Sequence, residues 1–244
     1  MAYCEELGMI DIHSHLLYGV DDGAKSRKES IQMLKEAKKQ NVEAIILTPH
    51  YRKGMFKHPN EKIQENFMDL KAVAKEIGID IYLGTEFHVN SSIVEYLHRG
   101  RCRTLADTEY VLVEYGYDTE FTYIKSTVQE LLLNGYIPII AHAERYACLR
   151  EKNERVDLLR DMGAMIQVNA DAILGMDGFF TKNIVKKFLK KRLVDFVASD
   201  SHGMKARANN LGKCQDYLYK KYDSDYVDEI LEKNARALIG CGRK

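Results

Sequence analysis

Short apolar runs alternate along the chain with longer segments in which apolar residues recur at helical spacing. The helical spacing predicts helices over 26–40, 60–77, 120–134, 151–162, 181–192 and 206–221. Within the first of these, Ser26 and Glu29 have the spacing of a capping box, and Ile31, Leu34 and Ala37 share one face. The short runs predict seven strands: MIDI (9–12), AIILT (44–48), IDIYLG (79–84), YVLVE (110–114), IPIIA (137–141), MIQVN (165–169) and VDFVAS (194–199).

The order of these elements predicts the fold class. Near-continuous apolar strands, each followed by a helix, are typical of a parallel sheet that is buried on both faces. We therefore expect an α/β protein with a closed (β/α)7 barrel, and an open doubly wound sheet is the alternative. The pattern is weakest over 85–109, where the predicted helix is short. The chain shows no linker or fixed-period repeat, so residues 1–244 are expected to form a single domain.

Composition narrows the class of protein. The chain has 244 residues with 36 Lys plus Arg and 36 Asp plus Glu, so no basic field favours a nucleic-acid partner. Five cysteines without regular spacing indicate a reducing compartment. The first residues lack the features of a signal peptide, and the apolar runs are too short to insert into a membrane. We expect a cytoplasmic protein.

Polar side chains that bind metals recur where the predicted strands end. The carboxyl ends of parallel barrel strands form one face, so these side chains are expected to converge. Nitrogen and oxygen ligands without a thiolate favour Mn, Fe, Zn or Mg, and their number suits two or three ions. The residues at the strand ends are His13, His15, His50, Glu86, Glu114, His142, Asn169, Asp200 and His202.

Six stretches carry a family resemblance: DIHSHLLYGVDDGA, TPHY, GTEF, AHAERY, QVNADAILG and VASDSHGMKAR. With them the chain resembles the PHP (polymerase and histidinol phosphatase) superfamily, and within it the bacterial manganese-dependent protein-tyrosine phosphatases of the CpsB/YwqE type. The resemblance implies a distorted (β/α)7 TIM-like barrel, the PHP fold, with three metal ions. It also implies capsule or exopolysaccharide biosynthesis as the setting, with a bacterial tyrosine kinase as the phosphotyrosine protein substrate. The implied metal ligands are His13, His15, His50, Glu86, Glu114, His142, Asp200 and His202.

The same resemblance implies a catalytic role for Asp22 and Arg145. Asp21 competes with Asp22 for that role, and a turn at Gly23 is the structural alternative for either aspartate. His88 departs from the family pattern, which commonly has Arg at this place, so the residue that makes one of the phosphate contacts is not identified.

The residues themselves are consistent with phosphate chemistry. Arg145 and Arg207 each follow a predicted ligand closely, and a guanidinium binds phosphoryl oxygens with two parallel hydrogen bonds. None of the five cysteines has an arginine six residues later, which a cysteine-based tyrosine phosphatase would need. Tyrosines near the strand ends form either a rim for a phosphotyrosine ring or the packing between loops, and we name Tyr51 as the candidate substrate contact.

Three functions follow in order of preference. The first is a metal-dependent protein-tyrosine phosphatase with Mn²⁺. The second is a small-molecule phosphatase of the same superfamily, such as one that acts on histidinol phosphate. The third is a non-catalytic metal-binding module. The VDDGA stretch favours the first.

Overall fold

A computed structural model describes residues 8–56 and 60–240. Each of the seven predicted strands is confirmed, and two short strands follow the second and third of them. Every recorded strand pair is parallel. The strands are β1 (Met9–Ser14), β2 (Val42–Leu47), β3 (His50–Tyr51), β4 (Asp80–Leu83), β5 (Glu86–His88), β6 (Tyr110–Glu114), β7 (Ile137–Ile140), β8 (Met165–Asn169) and β9 (Phe196–Ala198).

The strands curl into a distorted barrel with seven strand positions. Hydrogen bonding joins them in the orders β1-β2-β4 and β3-β5-β6-β7-β8-β9, and β3 and β5 continue β2 and β4 after a two-residue break. The ring closes where Ser14 bridges Ser201 in parallel and the Asp200 N–H donates to the His13 carbonyl at 2.9 Å. The predicted barrel is confirmed, and the open doubly wound sheet is wrong, because an open sheet has no such contact between its first and last strands.

Helices follow the strands along the chain. In the part of the chain that the structure describes, none of them is both long enough and apolar enough to cross a membrane. The α-helices are α1 (Arg27–Lys39), α2 (Asn60–Ile77), α3 (Ile93–His98), α4 (Phe121–Leu133), α5 (Ala147–Glu151), α6 (Asn153–Asp161), α7 (Ala170–Leu174), α8 (Phe179–Lys190), α9 (Leu211–Tyr219), α10 (Ser224–Asp228) and α11 (Asn234–Gly240). Short 3₁₀ turns cover Leu105–Asp107 and Ala143–Arg145, and a π-helical turn covers Glu229–Lys233.

Several predicted helix boundaries were wrong for local reasons. The segment predicted as one helix over 151–162 is divided between α5 and α6, because Lys152 between them has an extended backbone. The helix predicted from 206 begins only at Leu211, whose N–H donates to the Asn209 side chain at 3.0 Å. The last helical stretch, over 224–240, was not predicted.

The start of α1 shows half of the predicted capping box. The Glu29 N–H donates to the Ser26 hydroxyl at 3.3 Å, as the motif requires. The Glu29 carboxylate, however, accepts from the Lys25 N–H at 2.9 Å rather than from Ser26. The buried face of α1 includes Leu34 and Ala37 as predicted, whereas Ile31 is only half-buried.

Two apolar clusters pack against the two faces of the strands. The larger one packs helices α1 to α10 against the outside of the barrel. The smaller one contains residues of β1, β2, β6, β7 and β9 together with α11, and no residue of the helices that surround the barrel. It therefore fills the barrel interior at the amino ends of the strands, which leaves the carboxyl ends for polar side chains. Its members include Ile12, Leu112, Ile139, Phe196 and Ala198.

Candidate metal centre

The eight predicted metal ligands lie together at the carboxyl ends of the strands. Six of them are buried, and His50 and Glu114 are half-buried. Seven of the eight, together with Asp22, form three groups in which one potential ligand atom from each residue lies within 4.8 Å of the others. The groups are His15, Asp22, His50 and His202; His13, His15 and Asp200; and His50, Glu86 and Glu114. His142 adjoins them, because its Nε2 atom lies 2.9 Å from Glu86 Oε1.

An irregularity in β1 brings both histidines of the H-x-H motif into this cluster. Ile12 belongs to the interior apolar cluster, so strict alternation would turn His13 away from the barrel interior. Between Asp11 and Ser14, however, β1 advances three residues while β2 advances two. Such an additional residue changes the side to which the following side chains point. The Nε2 atoms of His13 and His15 consequently lie 3.2 Å apart.

Gln167 determines which nitrogen of His13 faces the cluster. Gln167 Oε1 accepts the His142 N–H at 2.8 Å, which identifies this atom as the carbonyl oxygen. His13 Nδ1, 3.1 Å from the same oxygen, must therefore donate to it. In the neutral imidazole the proton then sits on Nδ1, so Nε2 presents its lone pair to the cluster. Gln167 is a functional position that the sequence pattern did not indicate, although it lies two residues before Asn169.

Three further histidines are oriented in the same way. His15 Nδ1 lies 2.7 Å from Asp21 Oδ2, and His202 Nδ1 lies 2.9 Å from the Asp200 carbonyl. His142 Nδ1 lies 3.3 Å from the Tyr146 hydroxyl, whose own proton goes to the Ala141 carbonyl at 2.9 Å. Each of these acceptors takes a proton from Nδ1, so in the neutral ring the lone pair on Nε2 can bind a cation, although His142 Nε2 here lies within hydrogen-bond distance of Glu86 Oε1, at 2.9 Å.

Orphaned polar atoms show that this cluster suits metal ions. Within the described residues, His50 Nδ1, Glu86 Oε2, Asp200 Oδ1 and His202 Nε2 are buried without a hydrogen-bond partner. Glu86 Oε2 lies only 2.9 to 3.2 Å from nitrogens of His13, His15 and His50, yet none of these contacts has the alignment of a hydrogen bond. Buried polar atoms are costly without a partner, and lone pairs that converge from several directions match the preference of a divalent cation.

The electrostatics of the cluster agree with this assignment. Burial alone would raise the pKa of Glu86 and of Asp200, but neighbouring positive charge outweighs burial and holds both pKa values well below their usual range. The buried carboxylates therefore stay anionic and require positive charge, from protons on imidazoles or from metal ions. Burial and the positive charge of His15 lower the pKa of His202 to about 2, so the His202 ring is neutral at physiological pH.

Asp21 supports the cluster from the loop after β1. Its carboxylate accepts from His15 Nδ1, from the His50 N–H at 3.0 Å and from the Gly23 N–H at 2.9 Å. These contacts lower the pKa of Asp21 to about 2 although burial opposes the shift. The turn requires glycine at position 23, because a Cβ atom there would lie 2.0 Å from the His15 carbonyl oxygen. The turn and the support of His15 thus belong to one local structure.

Asp22, in contrast, points towards the open side of the cluster. Its side chain is 51% exposed, and Oδ1 lies 3.5 Å from Nε2 of His50 and of His202. A carboxylate in this position is close enough to bind an ion or to exchange a proton with a group that approaches from solvent.

The two predicted arginines meet on one oxygen of Asp200. Arg145 Nη2 lies 3.0 Å and Arg207 Nη2 lies 2.7 Å from Asp200 Oδ2, which also accepts from Asn169 Nδ2 at 2.8 Å. The other oxygen, Oδ1, faces His13 and His15 at 3.5 Å. Asp200 therefore separates the guanidinium side of the site from the imidazole side, and both arginine side chains remain partly exposed.

The backbone at the ends of β7 and β9 is strained. His142 has φ 34° and Asp200 has φ 51°, both in the left-handed region that non-glycine residues seldom adopt. Such conformations occur preferentially at binding and catalytic sites, where the surrounding structure holds them in place.

The remaining candidates occupy different positions. Tyr51 stacks on Phe87 with ring centroids 5.2 Å apart and contacts Tyr96 edge to face, so its ring packs between β5 and α3. His88 Nδ1 lies 3.1 Å from Glu114 Oε1, beside the cluster. Tyr117, at 56% exposure, lines a cavity next to Arg145.

Comparison with known proteins adds an independent line of evidence. Residues 9–240 match the family model described as capsular polysaccharide synthesis, CpsB/CapC. Tyrosine-protein phosphatase CpsB of Streptococcus pneumoniae is 38% identical over 238 residues, which cover 95% of this chain and 98% of that protein. Tyrosine-protein phosphatase YwqE of Bacillus subtilis is 31% identical over 233 residues, covering 95% of this chain and 91% of that protein.

Solved structures agree with the sequence comparison. A crystal structure from work on YwqE from Bacillus subtilis and CpsB from Streptococcus pneumoniae, called unique metal-dependent tyrosine phosphatases, matches with a TM-score of 0.87 at 30% identity. The match covers 94% of each chain. A phosphotriesterase homology protein from Escherichia coli matches with a TM-score of 0.64 at 13% identity, covering 95% of this chain and 98% of that one, and shows that the barrel fold is shared.

Proposed function

The chain belongs to the CpsB/CapC family of capsular polysaccharide synthesis proteins, and on that premise we propose that it is a metal-dependent protein-tyrosine phosphatase. One observation supports this function above all. Buried nitrogen and oxygen atoms without hydrogen-bond partners converge at the strand ends, and two guanidinium groups lie on the other side of Asp200. A cation site beside fixed positive charge suits a phosphate monoester, which carries close to two negative charges.

The eight predicted metal ligands would hold the metal ions, and Asp22, which is grouped with His15, His50 and His202, lies close enough to add a ninth. We propose two or three ions of Mn²⁺, with Fe, Zn or Mg as alternatives, because imidazole and carboxylate ligands suit all four metals. Metal ions in such a site lower the pKa of bound water and stabilise the negative charge of the phosphoryl group. The ligands proposed are His13, His15, His50, Glu86, Glu114, His142, Asp200 and His202.

The chain's own residues then bind the phosphoryl group and move protons. Arg145 and Arg207 are partly exposed, and a guanidinium has five N–H donors, so each can bind phosphoryl oxygens while it retains its bond to Asp200. Asp22 is exposed at the opening of the cluster, where it can donate a proton to the leaving tyrosine oxygen. Asp21 and Gln167 hold the imidazoles in place and take no part in proton transfer.

The substrate we propose is a phosphotyrosine protein, namely a bacterial tyrosine kinase of capsular or exopolysaccharide synthesis. Support comes from the names of the relatives, which are tyrosine-protein phosphatases, and from the capsule synthesis family. We also propose that the protein acts in the cytoplasm, where such a kinase would present its phosphorylated residues, and that the barrel is its single functional domain.

A two-substrate assay with metal analysis tests this function. Purified protein is analysed for bound metals, stripped with EDTA, reloaded with Mn²⁺ and assayed on a phosphotyrosine peptide and on histidinol phosphate. We expect activity on the peptide that depends on Mn²⁺. Faster turnover of histidinol phosphate would favour the small-molecule phosphatase. Bound metal without turnover of either substrate would identify a metal-binding module.

A further inference from the structure

A groove leads away from the metal centre along α8. Its near part, a cavity of about 340 Å³, is lined by His142, Arg145 and Tyr117 of the site and by Asp177 and Thr181. Its far part, about 500 Å³, lies against the exposed side of α8. Arg150 lines both cavities, so the two parts adjoin at its side chain, with His142 at one end and α8 at the other.

The far part of the groove is positively charged. Four of its seven lining residues are cationic, and none is acidic: Arg150, Lys186, Lys187 and Lys190. Among residues 8–56 and 60–240, none of these four cations has a carboxylate within 4.0 Å. Lys191, on the next position of the chain, pairs instead with Glu154 at 3.9 Å and does not line the groove. Unpaired cations on one wall attract a ligand of opposite charge.

The same wall also exposes apolar surface. Phe180 is 78% exposed and lines the groove, with Phe179 beside it at 73% exposure. Phe180, Ile184 and Lys187 follow one another at i, i+4 and i+7, so they form one stripe along α8. An exposed aromatic side chain next to unpaired lysines suits a polypeptide with both acidic and apolar side chains.

We propose that this groove binds an acidic segment next to the phosphotyrosine of the substrate protein. This inference rests on the proposed phosphatase function and adds a substrate preference to it. The wall from Phe180 to Lys190 is about 15 Å long, at about 1.5 Å per helical residue. An extended peptide covers that length with about four to five residues, at about 3.3 Å each. The segment thus begins beside Arg145 and ends against the lysines of α8.

The cavity on the other side of the metal centre is less suited to an acidic segment. It is lined by Asp22, His202 and three lysines, but also by Glu29. Glu29 and Asp22 place negative charge among those lysines. The near part of the α8 groove also has two carboxylates, Glu114 and Asp177, but none of the residues that line its far part is acidic.

Peptide kinetics on the manganese-loaded full chain test the proposal. A phosphotyrosine peptide with four Asp or Glu residues next to the phosphotyrosine is compared with one that has four Ser residues in the same place. Both peptides are made in two forms, with these four residues before or after the phosphotyrosine. Exposed ion pairs typically contribute about two- to fivefold each, so kcat/KM for the acidic peptide is expected to exceed that for the serine peptide about tenfold. The difference should lie in KM and should shrink as salt is raised.

Charge reversal on α8 connects this preference with the groove. In the double variant Lys186→Glu/Lys187→Glu the ratio of kcat/KM between the acidic and serine peptides is expected to fall from about ten to about one or below. The matched control is Lys71→Glu/Lys75→Glu on α2, which reverses two exposed lysines that do not line the groove and should keep the wild-type ratio.

Four results would overturn the proposal. Equal kcat/KM of the wild type for both peptides would remove the acidic preference while leaving the phosphatase function intact. An unchanged ratio in the α8 variant would place the recognition elsewhere. Loss of binding to phosphatidylglycerol vesicles in that variant, with no effect of the peptide flank, would show a lipid-binding surface. If the wild type hydrolyses neither the peptides nor p-nitrophenyl phosphate, the phosphatase function fails and the proposal with it.

Discussion

Glu144 is a fully buried carboxyl group beside the metal centre, and its replacement by glutamine tests the electrostatic reasoning. Oε1 of Glu144 accepts the Asn169 N–H at 3.0 Å, whereas Oε2 is buried without a partner among the described residues. Burial raises the pKa of this carboxyl group from 4.5 to about 7, although Arg145 and the Asn169 bond act in the opposite direction. The side chain is therefore protonated in the folded protein at pH values where it ionises in the unfolded chain.

The sign and size of the effect follow from this difference in pKa. The folded state binds the proton more tightly, so the stability associated with Glu144 is fully present below pH 4.5 and is lost as pH rises through about 7. Each pKa unit corresponds to about 1.4 kcal/mol, so ionised Glu144 costs about 3 kcal/mol above pH 7. Glutamine does not titrate. The free energy of unfolding of Glu144→Gln, relative to that of the wild type, should therefore rise by about 2 to 3 kcal/mol from pH 5 to pH 8.5.

The assay is urea unfolding of the EDTA-treated protein at both pH values. The chain has no tryptophan, so circular dichroism is the suitable probe. Glu130→Gln, at an exposed position of α4, is the control for the change of net charge and should show no such dependence on pH. If the difference in unfolding free energy between Glu144→Gln and the wild type is the same at pH 5 and pH 8.5, the raised pKa is wrong.

Three further predictions concern activity. Arg145→Ala should retain its metal ions and lose about 10²- to 10³-fold in turnover of a phosphotyrosine peptide, with partial recovery in Arg145→Lys, and an unchanged kcat/KM would refute phosphate binding by this residue. Asp22→Asn should lose about 10²- to 10⁴-fold if Asp22 is the general acid, and full turnover with metals retained would exclude that role. If Asp22→Asn loses its metal ions, Asp22 is a metal ligand instead. Iodoacetamide should leave activity intact, because the described cysteines are buried and burial raises their pKa, to about 12 for Cys102, as it does for Cys148 and Cys214. EDTA should abolish activity, because the proposed reaction depends on bound metal ions. The opposite result would indicate a cysteine nucleophile.

The secondary structure was largely readable from the sequence because it depends on local patterns. Each apolar run became a strand, and the helix predicted over 60–77 has the bounds of α2. Predictions failed where tertiary contacts determine the local conformation. α11, the end of the helical stretch over 224–240, contributes to the apolar cluster inside the barrel, so both its location and its stability depend on the barrel. β3 and β5 are two- and three-residue strands that exist only through their pairing with each other and with β6.

For the candidate site, the side chains available at the strand ends could be identified from the sequence, because a residue that follows a parallel strand lies at the carboxyl end of the barrel whatever the details of packing. Their orientation and partners depend on contacts between residues far apart in the chain. Gln167 lies 154 residues after His13, and closure of the barrel brings the two together, so no spacing in the chain predicts the orientation of that imidazole. The additional residue in β1 and the meeting of Arg145 with Arg207 on Asp200 likewise depend on strand register, which is set by the packing of the whole barrel.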